Sequence, residues 1–112
     1  MGNYYINAII LDGCQYSMAA KELLESNKIN TKFTIINYSE KDKYKNDQIK
    51  TFPQIYLSYN NKNVLLGGYN DLSILFSKFK GKYLKTDVTD ISKSKNINKK
   101  DILRFIYLIN SK

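Results

Sequence analysis

Hydrophobic and polar residues follow one another in blocks that predict a mixed α/β fold. Residues 4–11 form a mostly apolar run, which is typical of a strand covered on both faces. Apolar residues at helical spacing then predict a helix over 17–26. Residues 31–37 are rich in β-branched and aromatic side chains and predict a second strand. Because a helix connects them, we expect the two strands to be parallel.

The following pattern predicts a short helix, a hairpin and a longer helix. The polar segment 39–49 is weakly patterned but begins with a helix-capping sequence and early acids. Residues 54–59 and 64–66 predict two strands joined by a turn cluster at 60–63. Asn70 and Asp71 are predicted to cap a helix that runs to about residue 80, with its apolar side chains on one face. The order β-α-β-α-β-β-α predicts one mixed four-stranded sheet flanked by helices.

The chain continues beyond this predicted domain of residues 1–80. Lys, Ser, Thr and Asp dominate residues 81–96, and this composition predicts a basic linker. Asn98 predicts a helix cap, and the apolar stripe that follows predicts an amphipathic C-terminal helix over 98–112. We expect this helix to dock on the chain's own core. A homodimer or partner surface through residues 98–112 is the alternative.

Composition adds a basic charge and excludes several kinds of site. The 112 residues carry a formal net charge of +8, and residues 81–112 hold eight basic side chains against three acidic ones. Nucleic acid attracts such charge, but no nucleic-acid motif accompanies it, so a solvated surface is the preferred interpretation. The lack of His excludes Cys-His catalysis and histidine metal sites. No leader or membrane-spanning run is visible, so we expect a cytoplasmic or other reducing intracellular location and no membrane partner.

Cys14 is the only cysteine, and it lies between the first predicted strand and the first predicted helix. Backbone N–H groups converge at a helix start, and the helix dipole favours an anion there, so this thiol is expected to ionise readily. A lone cysteine forms no internal disulfide. Our hypothesis is a reaction centre, and the alternative is a small buried apolar side chain.

Three motifs, in this order and spacing, resemble those of the glutaredoxin family, whose fold is thioredoxin-like. Cys14–Ser17 matches the Cys-x-x-Ser variant of its active site, and 20–24 match the helix that follows. Thr51–Pro53 matches a Thr-Val-Pro motif in which the proline is cis. Gly67–Asp71 matches Gly-Gly-x-x-Asp. The resemblance covers residues 4–80.

The resemblance implies a glutathione-dependent thiol–disulfide oxidoreductase that acts on glutathionylated proteins. Ser17 replaces the family's second cysteine, so a monothiol route through Cys14 is expected, with Ser17 supporting the helix N-terminus. Glutathione would be the co-substrate. The residues expected to bind it follow the cysteine or belong to the other two motifs: Tyr16, Lys50, Thr51, Phe52, Pro53, Gly68, Tyr69, Asn70 and Asp71.

Departures from the family pattern leave other functions open. Leu11 stands where the family has a lysine, which weakens the expected hold on a glutathione carboxylate, and Lys50 would substitute in part. One alternative is a catalytically weak thioredoxin-fold binding module whose tail carries the partner. Another is a glutathione-ligated iron–sulfur dimer with Cys14 as the ligand. The cluster is less expected, because the chain has no Trp and lacks the Cys-Gly-Phe-Ser motif of the monothiol iron–sulfur relatives.

Overall fold

The computed structural model describes residues 3–111, which form a four-stranded sheet and five α-helices. The strands are Tyr5–Leu11 (β1), Thr31–Ile36 (β2), Gln54–Tyr59 (β3) and Lys62–Gly67 (β4). The helices are Gln15–Ser26 (α1), Lys41–Tyr44 (α2), Tyr69–Phe79 (α3), Lys85–Lys95 (α4) and Lys99–Asn110 (α5). The predicted order of the first seven elements is confirmed. No helix within this described part is long and apolar enough to cross a membrane.

The sheet has the strand order β2-β1-β3-β4, with one parallel and two antiparallel pairs. Helix α1 is the crossover that makes β1 and β2 parallel, as expected for a βαβ unit. Strands β3 and β4 form a hairpin whose two turn residues, Asn60 and Asn61, both have left-handed φ angles, of 48° and 63°. Such turns match the twist of the flanking strands, and Asn tolerates this conformation well. The predicted mixed four-stranded sheet is therefore confirmed.

One face of β1 is buried more deeply than the other. Ile6, Ala8 and Ile10 have no exposed surface, whereas the residues between them are half-buried. Helices α1 and α3 contact each other and the sheet. Helix α2 covers little of the core, because it ends at Tyr44 and does not reach the predicted residue 49. The side-chain oxygen of Asn46 accepts the N–H groups of Gln48 and Ile49, and this turn competes with helix continuation.

Residues 85–95 form helix α4, so the prediction of a linker over 81–96 was wrong. Val88 and Ile91, three positions apart, are buried in the core, and the polar residues that suggested a linker lie mostly on the outer side of the helix. The helix ends at Asn96, whose left-handed φ of 54° is a common way to terminate a helix. Only two buried side chains carry the helical pattern, which is too few to recognise against so polar a background.

Helix α5 packs its apolar stripe into the same core as the sheet. The cap prediction is confirmed, because the Asn98 side chain accepts the N–H of Lys100 at 2.7 Å. The stripe residues are all buried in the common core cluster: Ile102, Phe105, Ile106 and Ile109. The ring of Phe105 meets that of Phe76 on α3 edge-to-face, with centroids 5.9 Å apart. The chain's own core therefore covers this stripe.

A polar network ties α5 to the end of β3. The Tyr59 hydroxyl donates to Asp101 Oδ1 at 2.7 Å, and Arg104 donates to the same oxygen at 2.6 Å. The Arg104 guanidinium lies 4.4 Å from the centre of the Tyr59 ring. The hydrogen bond to Asp101, followed by burial, raises the pKa of Tyr59 above its ordinary value of 10.0, because an adjacent carboxylate opposes formation of a phenolate.

This network predicts a pH dependence of stability. Because the pKa of Tyr59 is raised, the folded state keeps the phenol proton at a pH where the unfolded state has lost it. The contribution of this hydroxyl to the free energy of unfolding is therefore complete below about pH 10, and it is lost as pH rises through the folded pKa. In urea titrations, the stability difference between wild type and Tyr59→Phe should stay constant up to about pH 9 and shrink above pH 10.

Tyr107→Phe is the matched control for this titration. Tyr107 lies on α5 and is half exposed, and no hydrogen bond joins its hydroxyl to the network of Tyr59, Asp101 and Arg104. Below about pH 9, Tyr107→Phe should lower the free energy of unfolding less than Tyr59→Phe does, because it leaves the network in place. A Tyr59→Phe difference that remains constant through pH 11 or so would contradict the assignment of this network.

Candidate active site

Cys14 lies at the junction between the end of β1 and the start of α1. It is the residue immediately before the helix, and its carbonyl accepts the first helical hydrogen bond, from the N–H of Met18 at 2.9 Å. Its side chain is half-buried and makes no capping hydrogen bond. Its Sγ lies 3.9 Å from the carbonyl oxygen of Phe52, close enough for a weak S–H contact. The sulfur is therefore held at the positive end of a three-turn helix without a strong partner.

Ser17 fixes the geometry of this junction. Its side chain is fully buried, and its Oγ accepts the N–H of Leu11 at 3.0 Å. This bond ties the first turn of α1 to the last residue of β1, so it sets the position of the intervening Cys14. Leu11 supplies a backbone donor here, and its aliphatic side chain brings no positive charge to the site.

The second motif lies beside the thiol. The peptide bond between Phe52 and Pro53 is cis, which confirms the expectation drawn from the family resemblance. Pro53 is buried, and a side chain at Gly68 would come within 3.6 Å of its carbonyl oxygen. The Phe52–Pro53 segment therefore lies between Cys14 on one side and the third motif on the other.

The third motif forms a tight turn from β4 into α3. Helix α3 begins at Tyr69, and Gly68 is its cap residue, so the prediction that Asn70 and Asp71 cap the helix was wrong. The Gly68 N–H donates to Asp71 Oδ2 at 3.1 Å, which places Asp71 inside the first turn. Gly67 has a φ of +123°, and an added Cβ there would overlap the Asp71 carboxylate. Glycine at this position therefore leaves room for the acid.

An open groove of about 620 Å³ passes along these motifs. Seven of the predicted binding residues line it: Tyr16, Thr51, Phe52, Gly68, Tyr69, Asn70 and Asp71. The remaining lining comes from the adjacent loop, β4 and the end of α4: Gln48, Ile49, Leu65, Leu66, Gly67, Ser94 and Lys95. The other predicted residues do not line the groove: Lys50 is exposed between two lining residues, Cys14 contacts the carbonyl of the lining residue Phe52, and Pro53 is buried directly after Phe52. The groove thus joins all three motifs.

Tyrosine side chains flank the thiol end of the groove. Tyr16 is 58% exposed and follows Cys14 by two residues. Its ring centre is 6.3 Å from that of Tyr69 at the start of α3, with the two planes tilted by 33°. The two rings therefore form one wall of the groove, to which α1 contributes Tyr16 and α3 contributes Tyr69.

Sequence reasoning missed Ser94 and Lys95, because they fall in the segment predicted to be a linker. The Lys95 ammonium lies 2.5 Å from Asp71 Oδ1, and its side chain is only 14% exposed. Asp71 and Lys95 are the charged residues of the groove lining, so the lining as a whole is neutral. The signal in the sequence was the spacing of Val88 and Ile91, which alone is too weak to predict a helix against so polar a background.

Metal ligands are sparse in this region. Between residues 3 and 111, no group of three or more His, Cys, Asp or Glu side chains lies close enough to hold a metal ion. Cys14 is the one thiolate that the sequence offers to an iron–sulfur cluster. Clusters are held by several thiolates, so one copy of this chain does not fit a cluster without ligands from outside it.

The geometry of Gly67 predicts a loss of stability on substitution. Gly67→Ala should lower the free energy of unfolding by about 2–3 kcal/mol, because alanine disfavours the positive φ and its Cβ displaces the Asp71 carboxylate. Gly81→Ala is the control, since Gly81 has a φ of +83° but nothing within 4 Å of an added Cβ. In urea titrations Gly67→Ala should be the more destabilised. Equal losses would mean that the contact with Asp71 contributes nothing.

A solved structure shares this architecture. The crystal structure of glutaredoxin 1 from Francisella tularensis, in complex with cacodylate, is similar with a TM-score of 0.57 and 26% sequence identity. The similarity covers 71% of this chain and 100% of that one, so part of this chain has no counterpart there. No family model and no curated protein matches the chain. The chain has the thioredoxin-like fold of a glutaredoxin, and the similarity supports a thioredoxin-fold redox protein.

Proposed function

We propose that this protein is a glutathione-dependent thiol–disulfide oxidoreductase of the glutaredoxin type that acts through Cys14 alone. The observation that carries the proposal is the meeting of the three motifs. The Cys14 sulfur lies 3.9 Å from the Phe52 carbonyl oxygen, and Phe52 lines the groove with Gly68 and Asp71. A nucleophilic sulfur beside a peptide-sized groove is the arrangement that this chemistry needs.

The groove offers partners for each part of glutathione. An extended peptide could pair its backbone with the main chain of Thr51 and Phe52, two lining residues, as an added strand does at a sheet edge. The N–H groups at the start of α3, around Tyr69 and Asn70, suit a carboxylate. Asp71 Oδ1 already accepts the Lys95 ammonium, so a ligand ammonium could reach it only as a second donor. Lys50, at the rim, suits the second carboxylate of the peptide. Glutathione would therefore bind along the groove with its sulfur toward Cys14.

The proposed reaction exchanges one disulfide for another. The Cys14 thiolate attacks the glutathione sulfur of a protein mixed disulfide, the protein–glutathione S–S bond breaks, and the substrate leaves as a thiolate that takes up a proton. A glutathione thiolate then attacks the glutathione sulfur bound to Cys14. Oxidised glutathione leaves, and Cys14 returns to its thiolate. The net change reduces one mixed disulfide and oxidises glutathione, and Ser17 takes no part in the electron transfer.

The N-terminus of α1 favours this sequence of steps. Cys14 carries negative charge before the attack and again when oxidised glutathione leaves. The α1 dipole and the N–H groups of its first turn stabilise that charge in both states. The half-buried position limits the solvation of the sulfur, and its contact with the Phe52 carbonyl holds it beside a residue that lines the groove.

Intact-protein mass spectrometry tests the proposal directly. Reduced protein mixed with oxidised glutathione should gain the mass of one glutathione at Cys14, and added reduced glutathione should remove it. A glutathionylated peptide should then be reduced in an assay coupled to glutathione reductase. The absence of an adduct, or an adduct that glutathione does not release, would overturn the proposal and favour a binding module.

A further inference from the structure

We propose that Lys95, which helix α4 brings into the groove, determines which charged group of the ligand the groove recognises. Lys95 neutralises Asp71 and presents its own ammonium to a carboxylate. The γ-glutamyl end of glutathione carries an ammonium and a carboxylate on the same carbon. The groove then holds that end mainly through its carboxylate. This inference deepens the proposed function and rests on it.

The first observation is that both oxygens of Asp71 already have a donor. Oδ2 accepts the Gly68 N–H at 3.1 Å, and Oδ1 accepts the Lys95 ammonium at 2.5 Å. A ligand ammonium that approaches Oδ1 meets a compensated carboxylate and a like charge beside it. Asp71 alone would attract an ammonium strongly, whereas the Asp71–Lys95 pair attracts it weakly.

The second observation is the position of Lys95 at the surface of the groove. Its side chain is 14% exposed and lines the groove next to Ser94, while the Asp71 side chain is 43% exposed. A lysine ammonium has three donors, and Asp71 takes one of them. The others, together with the N–H groups at the start of α3, form a site for a carboxylate.

The third observation is that the position of Lys95 is fixed by the extension rather than by the predicted domain. Val88 and Ile91 anchor α4 in the core, and the helix ends at Asn96, directly after Lys95. The Ser92 hydroxyl donates to the carbonyl oxygen of Ile97 at 2.5 Å, and this hydrogen bond holds the turn between α4 and the next segment. Residues 85–95 thus contribute Ser94 and Lys95 to the groove as well as Val88 and Ile91 to the core.

The test compares three unreactive thioether ligands in the full-length protein. The ligands are S-methylglutathione, its analogue with glutaryl in place of γ-glutamyl, which lacks the α-ammonium, and its analogue with 4-aminobutanoyl, which lacks the α-carboxylate. Dissociation constants come from NMR titration. For wild type, we expect loss of the carboxylate to weaken binding by about tenfold and loss of the ammonium to weaken it by at most about twofold.

Lys95→Met should reverse this ranking. Without the lysine, Asp71 is an uncompensated carboxylate, so loss of the ligand ammonium should weaken binding by about tenfold and loss of the ligand carboxylate by about twofold. Lys95→Arg keeps the positive charge and should rank the ligands as wild type does. Lys93→Met removes an exposed lysine from the same helix, outside the groove lining, and should also follow wild type.

The outcomes separate this inference from the proposed function. If wild type binds S-methylglutathione and Lys95→Met ranks the three ligands in the same order, the role of Lys95 is overturned while the glutathione site stands. If wild type binds none of the three ligands, the proposed function fails and the inference with it. Urea titration of each variant shows that the protein is folded, and the ratios between ligands within one variant do not depend on its stability.

Discussion

Cys14→Ser is expected to abolish glutathione-coupled reduction, with a rate loss on the order of a thousandfold or more. A serine hydroxyl at this position is a poor nucleophile near neutral pH and forms no mixed disulfide with glutathione. The substitution should leave the fold intact, because the Cys14 side chain makes only the weak contact with the Phe52 carbonyl at 3.9 Å. Initial rates with a glutathionylated peptide, and urea titrations of both proteins, measure the two effects separately.

Ser17→Ala is the matched control in the same turn of α1. It keeps the thiol but removes the acceptor of the Leu11 N–H, so it should cost about 1–2 kcal/mol of stability. At temperatures where it remains folded, it should lose far less activity than Cys14→Ser, since it keeps the nucleophile and removes only the bond that positions it. Equal activity in wild type and Cys14→Ser would refute the role of Cys14. The binding module would then be the better hypothesis.

Phe105→Ala is expected to destabilise the protein by about 3–5 kcal/mol. Phe105 is fully buried in the core that α5 shares with β1 and α3, and its ring contacts Phe76 edge-to-face. Truncation to alanine removes this contact and leaves a cavity in a tightly packed interior. Urea titration followed by circular dichroism gives the change in the free energy of unfolding, with a single transition expected for the whole chain.

Leu103→Ala is the control on the same helix. Leu103 is 46% exposed, so its truncation should change stability by no more than about 0.5 kcal/mol. A Phe105→Ala loss as small as that of Leu103→Ala would mean that α5 is only loosely attached to the domain. A separate early transition in wild type would indicate the same.

The packing of α5 also changes how a binding module should be tested. Deleting residues 93–112 would remove Ile97 and the α5 stripe from the core, so lost partner binding would not be distinguished from unfolding. Leu103 and Tyr107 are the exposed large apolar side chains of α5 among the described residues. Substituting these two tests a partner surface while leaving the core in place.

Local features of the chain were enough to predict the first half of the fold. Strand β3 was predicted with the bounds it has in the structure, and β1, β2 and α1 were predicted to within about two residues, because buried strands and an amphipathic helix carry dense apolar patterns. The Asn98 cap is also a short-range interaction, with its partner two residues away. Motif spacing was enough to propose Cys14 and half of the groove lining.

The tertiary structure decided the contacts between residues distant in sequence. The Cys14–Phe52 contact, the Asp71–Lys95 ion pair and the Tyr59–Asp101 hydrogen bond join residues 38, 24 and 42 positions apart. No local periodicity encodes such pairs, because each depends on where two separate elements meet on the sheet. Helix α4 was missed for a related reason, since its few apolar side chains gain their meaning only from the core that buries them. The sequence by itself therefore determined the thiol, the motifs and most of the elements, while packing alone brought the extension's lysine into the groove.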